Sequence, residues 1–131
     1  MEWVTIVTML ALVELAVFGL RTGMARSRYE IKAPATTGHE IFERHYRVHY
    51  NTIEHVILFI PALWAFAYYI SPYWAAGIGA VFLVGRIIYG VSYVKDPASR
   101  GPGMGLSILP CWVLILGGLI GAVMQLVHSV H

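Results

Sequence analysis

Hydrophobic positions along the chain fall into four long runs separated by short polar segments. The runs cover about Trp3 to Gly23, Val48 to Ile70, Tyr73 to Tyr93 and Leu106 to Val127. Each approaches the roughly 20 residues that an α-helix needs to cross the hydrocarbon core of a bilayer. The pattern predicts an all-α membrane protein: one four-transmembrane-helix bundle, with residues 1–131 forming a single integral-membrane domain. Ser71-Pro72 breaks the chain between the second and third spans, because proline removes a backbone donor and fixes φ. Asp96-Pro97 and Gly101-Pro102-Gly103 punctuate the link from the third to the fourth. Pro61 and Pro110 fall within or near spans, where neighbouring membrane helices tolerate a bend. The first run lacks a basic n-region, and arginines follow it in place of a small-residue cleavage site. It reads as a retained span rather than a signal peptide.

The polar positions that interrupt these runs are not scattered. Arg47, Asn51 and Glu54 stand at i, i+4 and i+7 where the second span begins. At about 100° per residue they lie within about 60° on one side of the helix. Arg86, Tyr89 and Tyr93 repeat the device on the third span at i, i+3 and i+7, and Arg100 follows just beyond its end. Charges at membrane depth are costly in lipid, so such stripes predict a polar pocket between helices. Arginine forks suit carboxylates and a glutamate suits an ammonium, so the mixture fits a small, multiply carboxylated zwitterion. Each stripe residue also has a plainer reading, as polar glue between helices or as an interfacial belt residue.

Composition agrees with the pattern. The chain of 131 residues is 58% hydrophobic and 12% charged, against about 25% charged in soluble domains. Its net charge of +2 is too small to suggest a nucleic-acid partner. The basic residues have a topological explanation instead. Arg21, Arg26, Arg28, Lys32, Arg44 and Arg47 belong to the first loop and its edges, Lys95 and Arg100 to the third, and Arg86 lies inside a span. The positive-inside rule then puts loops one and three in the cytoplasm and both termini on the opposite side. The single cysteine, Cys111, reads as a small buried hydrophobe. His45 and His49 are four apart, but with His39, His128 and His131 they make no set at metal-ligand spacing, so no metal is expected. Glu14, alone in the first span, reads as an interhelical partner for Arg86. An intramembrane acid also admits a small proton-coupled multidrug exporter as an alternative.

The run from Phe42-Glu43-Arg44 through Arg47, Asn51 and Glu54 to Pro61-Ala62-Leu63-Trp64 resembles the MAPEG family, membrane-associated proteins of eicosanoid and glutathione metabolism. Gly85-Arg86-Ile87-Ile88-Tyr89, Tyr93, Asp96-Pro97 and Ser99-Arg100 are similar to its branch of microsomal glutathione transferases of the third type. Pro34-Ala35-Thr36-Thr37-Gly38 is similar to a loop of leukotriene-C synthase. The resemblance implies a homotrimer of four-helix subunits that binds glutathione as co-substrate between neighbouring protomers. It implies a membrane-bound glutathione transferase, with glutathione peroxidase activity, acting on hydrophobic electrophiles or lipid hydroperoxides drawn from membrane lipids. By position, Arg26, Arg47, His49, Asn51, Glu54, Tyr89 and Tyr93 match residues that hold the tripeptide. Arg100 matches the residue that stabilises its thiolate, while His55, Arg86 and Glu14 are supporting candidates. His55 and Ser27 depart from the leukotriene-C synthase pattern, which has tyrosine and arginine there. A non-catalytic lipid-binding scaffold shares the fold, but that relative lacks the arginine and glutamate found here as Arg47 and Glu54.

Overall fold

A computed structural model describes residues 1–130. It has four long helices: α1 (Glu2–Arg28), α2 (Glu40–Tyr69), α3 (Pro72–Lys95) and α4 (Gly101–Val130), with a 3-10 turn at Pro97–Ser99 before the last. All four are long and apolar enough to cross a membrane. The expected spans are therefore present, but the helices outrun them. α2 begins at Glu40, eight residues before the apolar run, because His39 caps it by accepting a hydrogen bond from the Ile41 amide at 3.1 Å. Polar residues continue a helix out of the hydrocarbon without any hydrophobic signal, so periodicity alone cannot locate that end.

One expectation needs correction. Gly101-Pro102-Gly103 does not lie in the link but forms the first turn of α4. Proline there costs no hydrogen bond, since the first amides of a helix have no partner within it. Ser71 caps α3 through the Trp74 amide, and Pro72 occupies its first turn.

The helices pack around two clusters. Phe59 of α2 stacks on Phe82 of α3 with ring centres 3.9 Å apart, surrounded by Val4, Leu63, Cys111 and Leu114. Nearer the charged end, Phe18, Val48 and Tyr89 form a smaller cluster. Opposite these buried stripes the outer surface is apolar as well: Trp3 is 60% exposed, Ile57 66% and Leu109 66%. A protein apolar both inside and out suits lipid, not water, as its solvent.

α3 and α4 meet backbone to backbone. A methyl group on Gly85 would lie 2.7 Å from the Leu106 carbonyl carbon, and one on Gly103 would overlap the backbone of Tyr89. The two glycines thus let α4 approach the turn of α3 that carries Arg86 and Tyr89. Arg44 of α2 completes this end by donating through Nη1 to the carbonyls of Val94 at 3.0 Å and Lys95 at 3.3 Å. Those carbonyls belong to the last turn of α3, which has no amide to satisfy them. Arg44 also pairs with Glu40 one turn earlier.

Candidate functional site

The polar groups of α2 and α3 collect at the end of the bundle where α1 and α3 finish and α2 and α4 begin. At its heart is Arg86, which is wholly buried. Its Nη2 donates to Asn51 Oδ1 and to Thr52 Oγ1, both at 2.8 Å. The guanidinium lies 4.4 Å from the centre of the Tyr89 ring. These polar and π-electron partners replace part of its water, while Nε and Nη1 are buried without a hydrogen-bond partner among the described residues. Arg86 does not form an ion pair with Glu14 among the described residues. Glu14 is half-buried on α1, with Oε1 lacking a hydrogen-bond partner there.

The stripe on α2 divides. Asn51, 5% exposed, faces the core and holds Arg86. Arg47 and Glu54 lie to the outside, their side chains 53% and 59% exposed, and approach each other at 3.8 Å. A pair so accessible adds at most about 1 kcal/mol to stability, and both ends remain available to a ligand. The 60° spread of the stripe straddles the border between core and outer surface. Tyr89 is buried, and the ring of half-buried Tyr93 lies over it, with centres 5.5 Å and planes 29° apart. Val48, next to Arg47, packs with Tyr89 and Tyr93, and Gly103, three residues after Arg100, abuts the Tyr89 backbone. Arg100 is exposed, at the junction of the 3-10 turn and α4, with Nη1 donating to the Pro97 carbonyl at 3.1 Å. Arg47, Tyr93 and Arg100, from α2, α3 and the residue before α4, thus stand at the same end of the bundle as Tyr89.

Arg26 and His49 lie elsewhere. His49 is two residues from Arg47, about 200° around the helix. It packs against α1, where a methyl group on Gly19 would sit 3.0 Å from its Nε2. Arg26 donates to the Ala35 carbonyl at 2.7 Å and lies 4.8 Å above the Phe42 ring, beside a hollow of about 570 Å³ bordered by Lys32. Within the chain, Arg26 and His49 occupy a different side of α2 from Arg47 and Glu54. His55 turns back on its own helix, its Nδ1 2.8 Å from the Asn51 carbonyl. Among the described residues no group of three histidines, cysteines or acids gathers at metal-binding distance; His131 lies outside them.

Two contributors carried no sequence signal. Thr52 holds Arg86 from the next position on α2, and threonine is too common in membrane helices to stand out. Arg44 caps α3 from 50 residues away, a contact that no local pattern encodes.

These features define a class: a small integral-membrane protein of four spans whose polar side chains gather at one end of the bundle. The chain belongs to the MAPEG family, whose model matches residues 4–120. It is 42% identical over 124 residues to an uncharacterized protein of Synechocystis sp., covering 95% of this chain and 90% of that one. It is 33% identical to microsomal glutathione S-transferase 2 of Homo sapiens over 115 residues, 88% of this chain and 78% of the relative. Leukotriene C4 synthase of Bos taurus is 31% identical, with 88% and 77% covered.

Proposed function

We propose that the protein is a membrane-bound glutathione transferase that ionises the glutathione thiol beside Arg100 and delivers it to hydrophobic electrophiles. The observation that supports this reading is that the segments carrying Arg47 and Arg100 both pack against the turn of α3 that holds Tyr89 and Tyr93, through Val48 and Gly103. The names of the human and bovine relatives point the same way. Arg47 binds a carboxylate of the tripeptide and Glu54 its ammonium, while Tyr93 donates a hydrogen bond from the half-buried wall. Asn51 and Tyr89 act from behind, by fixing Arg86.

The chemistry needs a thiolate, since the thiol is a poor nucleophile with a pKa of about 8.5. Lowering that value by about two units takes about 2.7 kcal/mol of differential stabilisation. One guanidinium in a partly dry cleft is of the right size to supply it. The thiol proton leaves to water. With an aryl halide, a carbon–sulfur bond forms, the carbon–halogen bond breaks, and halide departs. With a lipid hydroperoxide, two glutathione molecules are oxidised to the disulfide while the hydroperoxide is reduced to alcohol and water.

Arg26 and His49 belong to the same site only if it is shared between copies of the chain, since they lie on the other side of α2 from Arg47. That division supports a ring of subunits, for which the family resemblance implies a trimer, each interface joining one copy's Arg47 face to the next copy's Arg26 face. The excess of arginine and lysine at this end supports a cytoplasmic orientation, with soluble glutathione entering from that side and the lipophilic substrate from the bilayer. Residues 1–131 then act as one integral-membrane unit.

An ultraviolet difference titration with glutathione tests the reading. Wild-type protein should develop thiolate absorbance that saturates with glutathione. Arg100→Ala should bind glutathione without that absorbance, and Arg47→Ala should require about tenfold more glutathione, the loss of one charge-assisted contact. Wild-type protein that shows neither thiolate absorbance nor aryl-halide conjugation overturns it.

A further inference from the structure

α1 carries a second polar feature on a different side from Arg26. Arg21 and Arg28 are seven residues apart, so they share one side of the helix, whereas Arg26 is five residues from Arg21 and about 140° away. With His45 of α2 they border a hollow of about 340 Å³. Arg21 also stands at the head of a second, apolar hollow of about 240 Å³, walled by Val17 and Phe18 of α1 and Ile87 and Val91 of α3. The two hollows are therefore consecutive along α1, cationic at the helix end and greasy deeper in. Along α1 the apolar hollow runs from Val13 to Arg21, about 12 Å, most of the hydrocarbon depth of one leaflet.

Neither Arg21 nor Arg28 enters an ion pair among the described residues; the pairs there are Met1–Glu2, Arg44–Glu40 and Arg47–Glu54. Arg28 instead lies 5.7 Å from the centre of the Tyr29 ring. The acid bordering these hollows, Glu14, is two turns below Arg21 along α1, about 10 Å. Two guanidiniums in no ion pair among the described residues, at the head of an apolar hollow, complement an amphiphile with an anionic head.

We infer that this face of α1 is a binding site for one anionic bilayer phospholipid. Its phosphate lies between Arg21 and Arg28 beside His45, and one acyl chain runs along Val17, Phe18, Ile87 and Val91. A soluble phosphate would use the arginines but leave the apolar hollow unmatched; a lipid uses both. The site lies within one chain and is independent of the glutathione reading.

Native mass spectrometry tests this on full-length protein extracted from bilayers of equal phosphatidylglycerol and phosphatidylcholine. Wild-type protein should retain one phosphatidylglycerol per subunit, at least fivefold over phosphatidylcholine. The double variant Arg21→Gln/Arg28→Gln should lose that preference, while Arg21→Lys/Arg28→Lys keeps most of it. Ile87→Trp, which fills the apolar hollow and leaves the arginines in place, should reduce phosphatidylglycerol retention at least threefold. It decides the matter if the glutamine variant fails to fold. Equal retention of the two lipids by wild-type protein overturns the inference, as does undiminished phosphatidylglycerol on either disabling variant. A rise in melting temperature with inorganic phosphate equal to that with phosphatidylglycerol also overturns it, in favour of a free-anion site.

Discussion

Arg86 and Arg100 are both arginines of the same end of the bundle, and their surroundings give them opposite tasks. Arg86 has no exposed surface and is held by Asn51, Thr52 and the Tyr89 ring. Arg100 is exposed and bonded only to the carbonyl of Pro97 in the turn beside it, so its charge is free to meet a ligand. Arg86→Ala should therefore destabilise the protein by about 3 kcal/mol, since it opens a cavity and strips Asn51 and Thr52 of their buried donor. Thermal unfolding in detergent measures this. Arg100→Ala should leave the melting temperature nearly unchanged and instead alter the pH dependence of conjugation. A group that stabilises thiolate lowers the thiol pKa, so wild-type activity should persist to about pH 6.5, two units below the free thiol. Without Arg100 the curve should shift upward toward about pH 8.5. A variant whose pH profile matches wild type would show that Arg100 does not act on the thiol.

At the scale of the elements, the position of Tyr89 is set by how closely α3 and α4 approach. Gly85 and Gly103 each lie where a side chain would strike the backbone of the facing helix. Gly103→Leu must push α4 outward, moving Arg100 at its start away from Tyr89 and Tyr93. The cost should be about 1–3 kcal/mol in stability, as for other overpacked contacts. Activity should fall further than stability explains, because misplacement by about 1 Å can cost a hundredfold in rate. Gly105, which meets nothing when extended by a methyl group, is the control: Gly105→Ala should be neutral in both assays. Existence of the four helices was legible in the sequence because lipid demands about 20 apolar residues for each crossing. The early start of α2 and the Gly-Pro-Gly opening of α4 were not. A helix in polar surroundings is fixed by caps and by contacts with other elements, which leave no hydrophobic trace.

At the scale of the whole molecule, the chain divides the residues proposed to hold glutathione between two sides of α2. Arg47, Tyr93 and Arg100 lie on one side, Arg26 and His49 on the other. If neighbours share the site, mixing two inactive variants should restore activity. Arg26→Ala co-expressed with Arg100→Ala would regain about a quarter of wild-type sites, the share of interfaces at which two intact faces meet in a randomly mixed ring. Sites complete within one chain would give no recovery above the separate variants. Activity of the whole purified population from equal co-expression, set against each variant alone, measures the difference.

The amino-acid sequence by itself determined the membrane class, the number of helices and the family. Each rests on local chemistry that neighbours in the chain impose on one another: unbroken apolar length, and the spacing of Arg47, Asn51 and Glu54 or of Arg86, Tyr89 and Tyr93. Helical spacing also placed each polar trio within a narrow arc of its helix, and on α2 that arc straddles the border between core and outer surface. Only the tertiary structure decided which member of a trio turns inward. Asn51 faces the core and Arg47 the outside, although they are one turn apart, because Arg86 arrives from α3 needing an acceptor. Likewise, Arg44 is a helix cap rather than a loop charge because α3 ends within its reach. A sequence fixes directions around one helix axis; how that helix is rotated against its neighbours depends on packing among all four, and there the roles of its polar residues are assigned.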